Sequence, residues 1–594
     1  MRCQIVSSLV LASSFSASRL LSQPSNCRCV PDDECWPPDE TWDAFNSTLG
    51  GKLIKSKPVA ISCYTGPEQD AQKCSHVSEM WSDKAFQTEQ PLGRYYSYNI
   101  TCPPVDFATR LKGSGCSLGQ LPVYVVNVTA RHHISEALAF AQQHNIRLTI
   151  VNTGHELNGR ADGFGSIAIW IRHLRDGIRF HPRFGSAVGC TGSGWSGSAV
   201  HIDGAWQWGD VHRVARRHNV IVVSGGSDSP GATGGWLSGG GHGPASRNYG
   251  LGADQLLEAE VMLADGRVVF ANHCQHTDLF RALRGGGPGY GIVLGTKVKA
   301  YPNVGAVTAH RLNVSSVRPT DENTELLDVV SVLMQSHPDL VDAGFAGYAT
   351  WFRSMAVAVV GNSSSGYKHS IWTIGEGRET AETALAPLRK KLSIFGDKLL
   401  VDESLIQYND YWSFYDAELG RDGPPGDSLL ITSRLLSRSS VEDGEAVREA
   451  VEVVSGKAGE NTFNIVALVS GGRVFEDATD TTSGLNPAWR SSHMLLLTVR
   501  PVSRDATFAQ RQAVIDDVTM VKGAATKKLA PNTGAYMNEG DRNDPDYINS
   551  FYGKTYDSHL ATKKKYDPNG IFYCPTCVGA AAYVDQPDGP LCVA

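Results

Sequence analysis

The 594-residue sequence lacks the features that define membrane and nucleic-acid-binding proteins. After the first residues, no stretch approaches the roughly 18 consecutive apolar residues that a membrane-spanning helix needs. No run of Lys or Arg stands out, and the formal net charge is −7, which argues against a nucleic-acid partner. Apolar residues make up 41% and charged residues 19%, the balance of a globular chain. A small-molecule partner is therefore expected, with neither membrane nor nucleic acid.

Several catalytic and metal-binding motifs are also missing. There is no G-x-S-x-G nucleophile elbow, and Gly553-Lys554-Thr555 lacks the glycine five residues earlier that a Walker loop requires. The glycine cluster from Gly285 to Gly291 leads into a strand rather than opening a helix, which disfavours a Rossmann nicotinamide site. The cysteines between residues 27 and 116 lack the paired C-x2-C units and the histidine spacings of zinc sites, and no metal is expected.

The beginning of the chain is typical of a secretory leader. Met1-Arg2 precedes an apolar run from Ile5 to Ala12 and then mostly small residues, which predicts a signal peptide over 1–22. Cleavage before Cys27 would leave twelve of the thirteen cysteines, an even number that suits disulfides in an oxidising compartment. Five sequons point the same way: Asn46, Asn99, Asn127, Asn313 and Asn362. We expect a secreted protein, or one of the secretory pathway.

Most of the cysteines lie towards the two ends of the chain. The segment 23–117 contains seven of them and is predicted to be irregular and stapled by disulfides. Near the C-terminus, Cys574-Pro-Thr-Cys577 trails an Asp-Pro-Asn-Gly turn instead of preceding a helix. A structural disulfide is therefore favoured there over a redox dithiol.

From about residue 118 the apolar pattern becomes α/β. Strands are predicted at 123–128, 147–151, 166–171, 199–204, 220–223 and 292–300, helices at 133–144, 207–219 and 277–283, and a hairpin over 256–271. Residues 303–525 carry longer strands, such as 348–360 and 494–499, and a helix over 379–393. That alternation predicts an antiparallel sheet with helices on one face.

The loop Asn152 to Arg160 follows the predicted strand that ends at Val151. Gly154 and Gly159 allow positive φ, which turns backbone N–H groups inward and forms a nest suited to phosphate. His155 lies inside this loop, where a neutral imidazole can act as ligand, base or nucleophile. The alternative is an ordinary loop histidine with a satisfied hydrogen bond.

A second glycine cluster runs from Gly231 to Gly243, shortly after the predicted strand 220–223. Such glycine density requires either positive φ or close approach of the backbone to a flat or charged group. A flexible loop would also tolerate it. Two such turns launched from buried strands are better explained by one large ligand held between them.

These stretches together resemble the FAD-linked oxidases of the vanillyl-alcohol-oxidase superfamily, in the berberine-bridge-enzyme-like group and closest to the fungal isoamyl alcohol oxidase-like proteins. The resemblance rests on the Asn152–Arg160 loop, Gly234-Gly-Trp-Leu-Ser-Gly-Gly-Gly241, Leu283-Arg-Gly-Gly-Gly287, Tyr536-Met-Asn538 and Asp567-Pro-Asn569. It implies an α+β fold with a two-lobed, PCMH-type FAD-binding domain over 118–302. A substrate-binding domain with an antiparallel sheet covered by helices would occupy 303–525, and 526–594 would complete the FAD site.

The resemblance also implies which residues bind FAD. His155 matches the histidine that the family bonds covalently to the 8α carbon of the flavin ring. The other cofactor-binding residues implied are Asn152, Thr153, Gly154, Asn158, Gly159, Arg160, Gly225, Gly226, Gly234, Gly235, Gly239, Gly240, Gly241 and Asn538. Many relatives add a second link through a cysteine just before the glycine cluster, and Asp228 aligns there. Single attachment through His155 is therefore expected.

The catalytic base is the least determined residue. A substrate hydroxyl or amine must lose a proton as its carbon gives up hydride, so a Tyr or a carboxylate near the flavin ring is needed. Tyr536 is the candidate, with Glu539 beside it. Both could instead only pack or bind cofactor.

Three functions remain open from the sequence. The leading one is a secreted oxidase that takes hydride from an alcohol or a natural-product intermediate and reduces O2 to H2O2. The second is a biosynthetic oxidative cyclase or desaturase that uses the same flavin. The third is a non-catalytic flavin-binding protein, against which the His155 loop and both glycine clusters speak.

Overall fold

The computed structural model describes residues 26–105, 115–318, 320, 322–355, 363–420 and 423–594. The predicted signal peptide and the sequon at Asn362 lie outside these residues. Among the described residues, no helix combines the length and the apolar character that crossing a bilayer demands.

The first lobe is built on a four-stranded sheet. Its strands, in order across the sheet, are Leu53–Lys55, Tyr124–Asn127, Ile167–Trp170 and Leu148–Val151. The last three run parallel, and the helix Arg131–Gln143 connects two of them. As predicted from their spacing, Ile134, Leu138 and Ala141 of this helix are buried. Because the strand Leu148–Val151 ends at the cavity described below, the loop after it enters that cavity.

The second lobe is a five-stranded antiparallel sheet. Its order is Arg175–His181, Ala199–Gly204, Ile292–Lys299, Leu256–Met262 and Val268–Asn272. The predicted hairpin over 256–271 is confirmed as the last pair of strands. The predicted strand 220–223 is shorter than expected, since only Val220–Ile221 pairs, with Tyr301–Pro302.

A seven-stranded sheet forms most of the region 303–525. Its strands, in order, are Leu399–Tyr408, Val307–Ser316, Gly366–Ile374, Ala346–Phe352, Phe463–Leu468, Ser492–Val502 and Ser428–Ser437. All neighbouring strands are antiparallel. Helices Thr324–Asp342, Arg378–Leu392 and Gly444–Ser455 pack on one face and share a buried core with it. The predicted antiparallel sheet with helices on one face is confirmed.

Further α-helices lie between and after these strands. They are Trp208–Arg217, Gly235–Ser238, Ser246–Tyr249, Gly252–Gln255, Thr277–Leu283, Tyr411–Glu418, Arg473–Glu476, Phe508–Asp516, Ala524–Leu529 and Tyr556–Tyr566. A last pair of strands, Tyr583–Asp585 and Leu591–Val593, closes the chain.

The N-terminal segment is more regular than the sequence suggested. It contains helices at Asp39–Thr48, Ala71–Met80 and Lys84–Glu89, so the expectation of an irregular segment was wrong. Asp70 and Asp83 cap the second and third helices by accepting backbone N–H groups, which stabilises their first turns. Trp42 of the first helix stacks on Tyr124 of the first lobe at 4.0 Å between ring centroids.

All twelve cysteines from Cys27 onward form disulfides, as their even number predicted. The pairs are Cys27–Cys592, Cys29–Cys35, Cys63–Cys74, Cys102–Cys116, Cys190–Cys274 and Cys574–Cys577. Three pairs staple the N-terminal segment internally, while Cys27–Cys592 ties it to the other end of the chain. The Cys574–Cys577 pair is a disulfide, as favoured from its position after a turn.

Candidate active site

A cavity of about 650 Å³ lies where the lobes, the seven-stranded sheet and the C-terminal segment meet. Both glycine-containing loops border it, which supports the expectation that one ligand lies between them. The predicted cofactor-binding residues that line it in and near those loops are Asn152, Thr153, Gly154, His155, Arg160, Gly225, Gly226, Gly234 and Gly235. A cavity of this volume is within the range of cofactor and substrate sites.

His155 is held at the cavity by three contacts. Gly154 before it has φ 73°, a conformation that glycine adopts without strain. The imidazole stacks on Tyr95 at 4.2 Å between centroids and meets Tyr96 edge-on at 5.2 Å. Its Nε2 lies 2.6 Å from the hydroxyl of Ser229. Burial lowers the pKa of His155 to about 3, so the ring is a neutral imidazole at neutral pH.

Two features of the lining fit a flavin nucleotide. A Cβ placed on Gly234 or Gly235 would meet no atom within 4 Å, so the backbone there leaves open space that a flat or phosphorylated group can fill. The side-chain oxygen and nitrogen of Asn152 are buried and have no hydrogen-bond partner within the described part of the chain. Since buried amide groups are normally paired, Asn152 is available to hydrogen-bond a bound molecule.

Other predicted residues support the site without bordering the cavity. Asn158 donates from Nδ2 to the carbonyl of Met537 at 3.1 Å, and Gly159 adopts φ 65°. The remaining three, Gly239, Gly240 and Gly241, permit close packing, since a Cβ on them would come within 3.0 Å of Asn538, Leu485 and Trp236. Their density thus reflects both ligand space and tight packing.

The C-terminal segment brings residues of its Tyr-Met-Asn triplet to the cavity. Tyr536, Asn538 and Glu539 all line it. Asn538 donates from Nδ2 to the carbonyl of Gly235 at 3.1 Å and to the hydroxyl of Tyr536 at 2.9 Å. Burial raises the pKa of Tyr536 well above its usual value. The phenol therefore stays protonated and can donate a hydrogen bond into the cavity.

Arg160 connects the first loop to the same segment. Its guanidinium donates to the carbonyl of Met537 at 2.8 Å and to the hydroxyl of Thr576 at 3.2 Å. Its backbone N–H is bound by the carboxylate of Glu156 at 2.6 Å. Arg160 thus lines the cavity and also fixes the loop that carries His155.

Sequence reasoning missed the His242–Glu539 pair. His242 Nε2 lies 3.2 Å from Glu539 Oε2, and both residues border the cavity. Nδ1 of His242 is buried and lacks a hydrogen-bond partner among the residues that the structure describes. The ring of Tyr536 lies 4.9 Å from that of His242. A histidine following three glycines gave a cue, but its partner 297 positions away was visible only in the fold.

Asp228 is the residue that the resemblance aligns with the cysteine of the family's second flavin link. Asp228 does not line the cavity. Its carboxylate contacts His212 at 3.0 Å and the hydroxyl of Tyr415 at 3.3 Å. The next residue, Ser229, contacts the His155 ring instead. No cysteine occupies either position, which leaves the expectation of a single flavin link unchanged.

The seven-stranded sheet forms the wall of the cavity that belongs to the region 303–525. Six apolar side chains from three adjacent strands line it: Leu429, Ile431, Phe463, Ile465, Leu497 and Val499. We call this set the apolar wall. Tyr348, from a neighbouring strand, borders the same space.

The two-lobed arrangement, the His155 loop and the covering sheet define a flavoprotein of the vanillyl-alcohol-oxidase type. Residues 122–272 match the family model described as FAD binding domain, and residues 535–579 match the one described as berberine and berberine like. The chain belongs to the FAD-linked oxidoreductases of this berberine-bridge-like family, and FAD is its cofactor. The resemblance inferred from the motifs is confirmed.

Relatives of known sequence and structure cover almost the whole chain. It is 57% identical to FAD-linked oxidoreductase hmp9 of Hypomyces subiculosus over 95% of this chain and 90% of hmp9. It is 35% identical to FAD-linked oxidoreductase apf9 of Gibberella fujikuroi over 96% of this chain and 97% of apf9. The crystal structure of the VAO-type flavoprotein MtVAO713 of Myceliophthora thermophila superposes with a TM-score of 0.94 at 55% identity, covering 96% and 100% of the two chains. These likenesses support an oxidoreductase acting on a small molecule.

Proposed function

We propose that the protein is a secreted oxidase that removes hydride from an alcohol or natural-product intermediate and reduces O2 to H2O2. The observation that supports this proposal is that the neutral imidazole of His155 and the apolar wall line the same cavity. That arrangement offers a cofactor attachment point and an apolar surface for a substrate in one site. When bound, FAD supplies a two-electron acceptor for the hydride.

We also propose that His155 bonds covalently to the 8α carbon of the flavin. A nitrogen that attacks carbon needs a free lone pair, which the low pKa of His155 preserves. If Nε2–H donates to Ser229, Nδ1 keeps the lone pair. A covalent link keeps the cofactor on a protein that leaves the cell, and an electron-withdrawing attachment raises the flavin's potential.

In this proposal, Tyr536 donates a hydrogen bond to the substrate, and the His242–Glu539 pair accepts the substrate proton. Tyr536 lines the cavity as predicted, but its raised pKa makes it a hydrogen-bond donor to the substrate oxygen rather than a base. The imidazole of His242, oriented by Glu539, is the acceptor. With Nε2–H directed at the carboxylate, Nδ1 carries the lone pair that receives the proton.

The direct test is anaerobic reduction of the purified holoprotein. A panel of alcohols, sugars and natural-product intermediates is added without O2, and the flavin absorption band is followed before and after air is admitted. Bleaching by an alcohol, with recolouring and one equivalent of peroxide in air, supports the oxidase. If nothing in a broad panel bleaches the flavin, the proposal is wrong.

The same experiment separates the second candidate, a biosynthetic oxidative cyclase or desaturase. The size of the cavity and its apolar wall suit a natural-product intermediate as well as a simple alcohol. Product analysis by mass spectrometry distinguishes the two. A new ring or double bond, in place of a carbonyl at the oxidised carbon, would assign the biosynthetic role.

Secretion and glycosylation complete the proposal. Six disulfides are consistent with an oxidising compartment. Asn99 is exposed, whereas Asn127 hydrogen-bonds His173 and Asn313 donates from Nδ2 to Asp402. Asn99 is therefore the sequon most open to a glycan. Recovery of the protein from culture medium, with a mass shift at Asn99 on glycosidase treatment, is the expected result; an intracellular, glycan-free protein would contradict it.

A further inference from the structure

The apolar wall is a continuous surface rather than a set of scattered contacts. Its members occupy alternate positions on their strands, two on each strand. The pairing places Val499 opposite both Ile431 and Phe463, and Leu497 opposite Ile465. Since side chains two residues apart on a strand share a face, these residues form one patch across three neighbouring strands.

The opposite face of the same strands shows that this patch is distinct from the core beneath the helices. Val466 and Leu468 alternate with Ile465, and Leu496 alternates with Leu497. These intervening residues pack with the helices of the substrate region. The side chains of the apolar wall instead share a buried cluster with Leu485, Trp489 and Tyr536 and border the cavity.

The six side chains of the apolar wall offer no hydrogen-bonding group, and the polar groups of the cavity belong to other elements. Tyr536, His242 and Glu539 lie together on the glycine loop and the C-terminal segment. Glu418 also lines the cavity, but its carboxylate is bound by Arg311 at 3.0 and 3.1 Å and by Tyr408 and Ser370 at 2.6 and 2.7 Å. It has little capacity left for a substrate hydroxyl.

From this arrangement we infer that the substrate is an apolar molecule with a single oxidisable group, and that polyhydroxylated compounds such as carbohydrates are excluded. The inference rests on the proposed function for the reaction, but not for the binding. The apolar body lies against the wall, and the reacting hydroxyl faces His242 and Tyr536. Sugar hydroxyls placed against the wall would lose their water partners without replacement.

The reaction balances with one hydride and one proton. The carbinol carbon loses hydride to the flavin, His242 Nδ1 takes the hydroxyl proton, and the carbon–oxygen bond becomes a carbonyl. O2 then accepts two electrons and two protons to give H2O2, which returns the flavin to its oxidised form. The apolar wall takes no part in these transfers and acts only on binding.

Binding to the holoprotein tests the inference independently of turnover. Dissociation constants are measured from perturbation of the flavin absorption band without O2, whether or not bleaching follows. The probes are straight-chain primary alcohols from 1-butanol to 1-octanol, with glucose and cellobiose for comparison. Affinity should rise about three- to fourfold for each added methylene, and the two sugars should cause no perturbation. A flat chain-length dependence, or tighter binding of cellobiose than of 1-octanol, would overturn the inference.

Two variants test whether the apolar wall causes the chain-length dependence of alcohol binding. Ile465→Thr and Ile431→Thr keep a β-branched side chain suited to a strand but place a hydroxyl in the patch. Each should weaken 1-octanol binding by roughly three- to tenfold and leave 1-butanol binding nearly unchanged. Ile394→Thr is the matched control, because Ile394 is 82% exposed in the same region, and it should change neither. Equal effects at all three positions would overturn the inference.

Failure of the two proposals can be told apart. If 1-octanol binds with the expected chain-length dependence but no alcohol bleaches the flavin, the oxidase proposal fails and the substrate class stands. If glucose or cellobiose bleaches the flavin with peroxide release, the oxidase stands and the substrate class is wrong. Flavin content and thermal midpoint of each variant confirm that folding is unchanged.

Discussion

The two walls of the cavity are built by opposite means. We call the cavity-lining residues of the loops 152–160 and 231–243 the loop wall. It depends on backbone conformation, because Gly154 and Gly234 have positive φ and Gly235 leaves open space for a ligand. The apolar wall depends on side chains that alternate along three regular strands. The loop wall is thus encoded locally, in short glycine-rich runs, whereas the apolar wall is spread over residues that meet only through strand pairing.

Covalent attachment of the flavin should be lost completely when His155, the proposed nucleophile, is removed. The His155→Ala variant is expected to lose all covalently held flavin, because no cysteine stands at the positions facing it. Acid-precipitated protein, tested for flavin fluorescence on a denaturing gel, gives the measurement. The Ser229→Ala variant, which keeps His155, serves as the comparison and should retain covalent flavin at least in part. Covalent flavin in His155→Ala would disprove the attachment site.

The next largest effect is expected on the rate of flavin reduction, from changes at His242 and Tyr536. His242→Gln should slow anaerobic flavin reduction about 100-fold or more, because a general base contributes at least that factor. Tyr536→Phe should slow it about tenfold through loss of one hydrogen bond to a developing charge. Both should keep full flavin content. A larger effect from Tyr536→Phe than from His242→Gln would reverse the assignment of base and donor.

A matched pair of glycine changes separates ligand space from packing within the loop wall. In Gly243→Ala, the new Cβ would lie 1.7 Å from the carbonyl oxygen of Ser224, so stability should fall by about 1–3 kcal/mol or more. In Gly235→Ala the new methyl group meets nothing within 4 Å. The free energy of unfolding of this variant should change by less than about 0.5 kcal/mol, while its FAD occupancy drops. Denaturant unfolding and the flavin-to-protein absorbance ratio measure the two. Equal destabilisation by both changes would contradict this division.

A pH-dependent effect is expected from the helix-covered face of the seven-stranded sheet. Behind the sheet, His310, His369, Tyr367 and His337 form a buried hydrogen-bonded chain with contacts of 2.9, 2.9 and 3.2 Å. Burial lowers the pKa of His337 to about 3 and that of His369 well below its usual value. Because the folded pKa is below the unfolded value, this stabilisation is present above about pH 6.5 and is lost as pH falls towards 3.

For each such histidine, the slope of the free energy of unfolding against pH should approach about 1.4 kcal/mol per pH unit. Unfolding free energy measured between pH 7 and pH 5 should therefore decline. The His337→Gln variant should show a shallower decline than the parent, since one buried ionisable ring is gone. A parent protein whose stability is constant over that range would contradict the prediction.

Much of the fold was predictable where local chemistry decides it. The strand before Asn152, the helix carrying Ile134 and Leu138, and the hairpin around Asp265 follow from apolar periodicity and turn residues, and all are observed. The helices of the N-terminal segment were not predicted, because its many cysteines suggested irregular structure. The capping aspartates Asp70 and Asp83 were the local signal for two of them. The even cysteine count predicted disulfides, but it could not reveal that Cys27 pairs with Cys592.

By itself, the sequence determined the cofactor and its loops, since positive φ and a histidine after a buried strand are properties of a few consecutive residues. Tertiary structure alone decided that Ser229 rather than Asp228 faces His155, that His242 meets Glu539, and that the apolar wall forms. Each of these depends on contacts between residues far apart in the chain or on which way a loop residue points. Strand register and loop closure fix such contacts, and no local pattern encodes them.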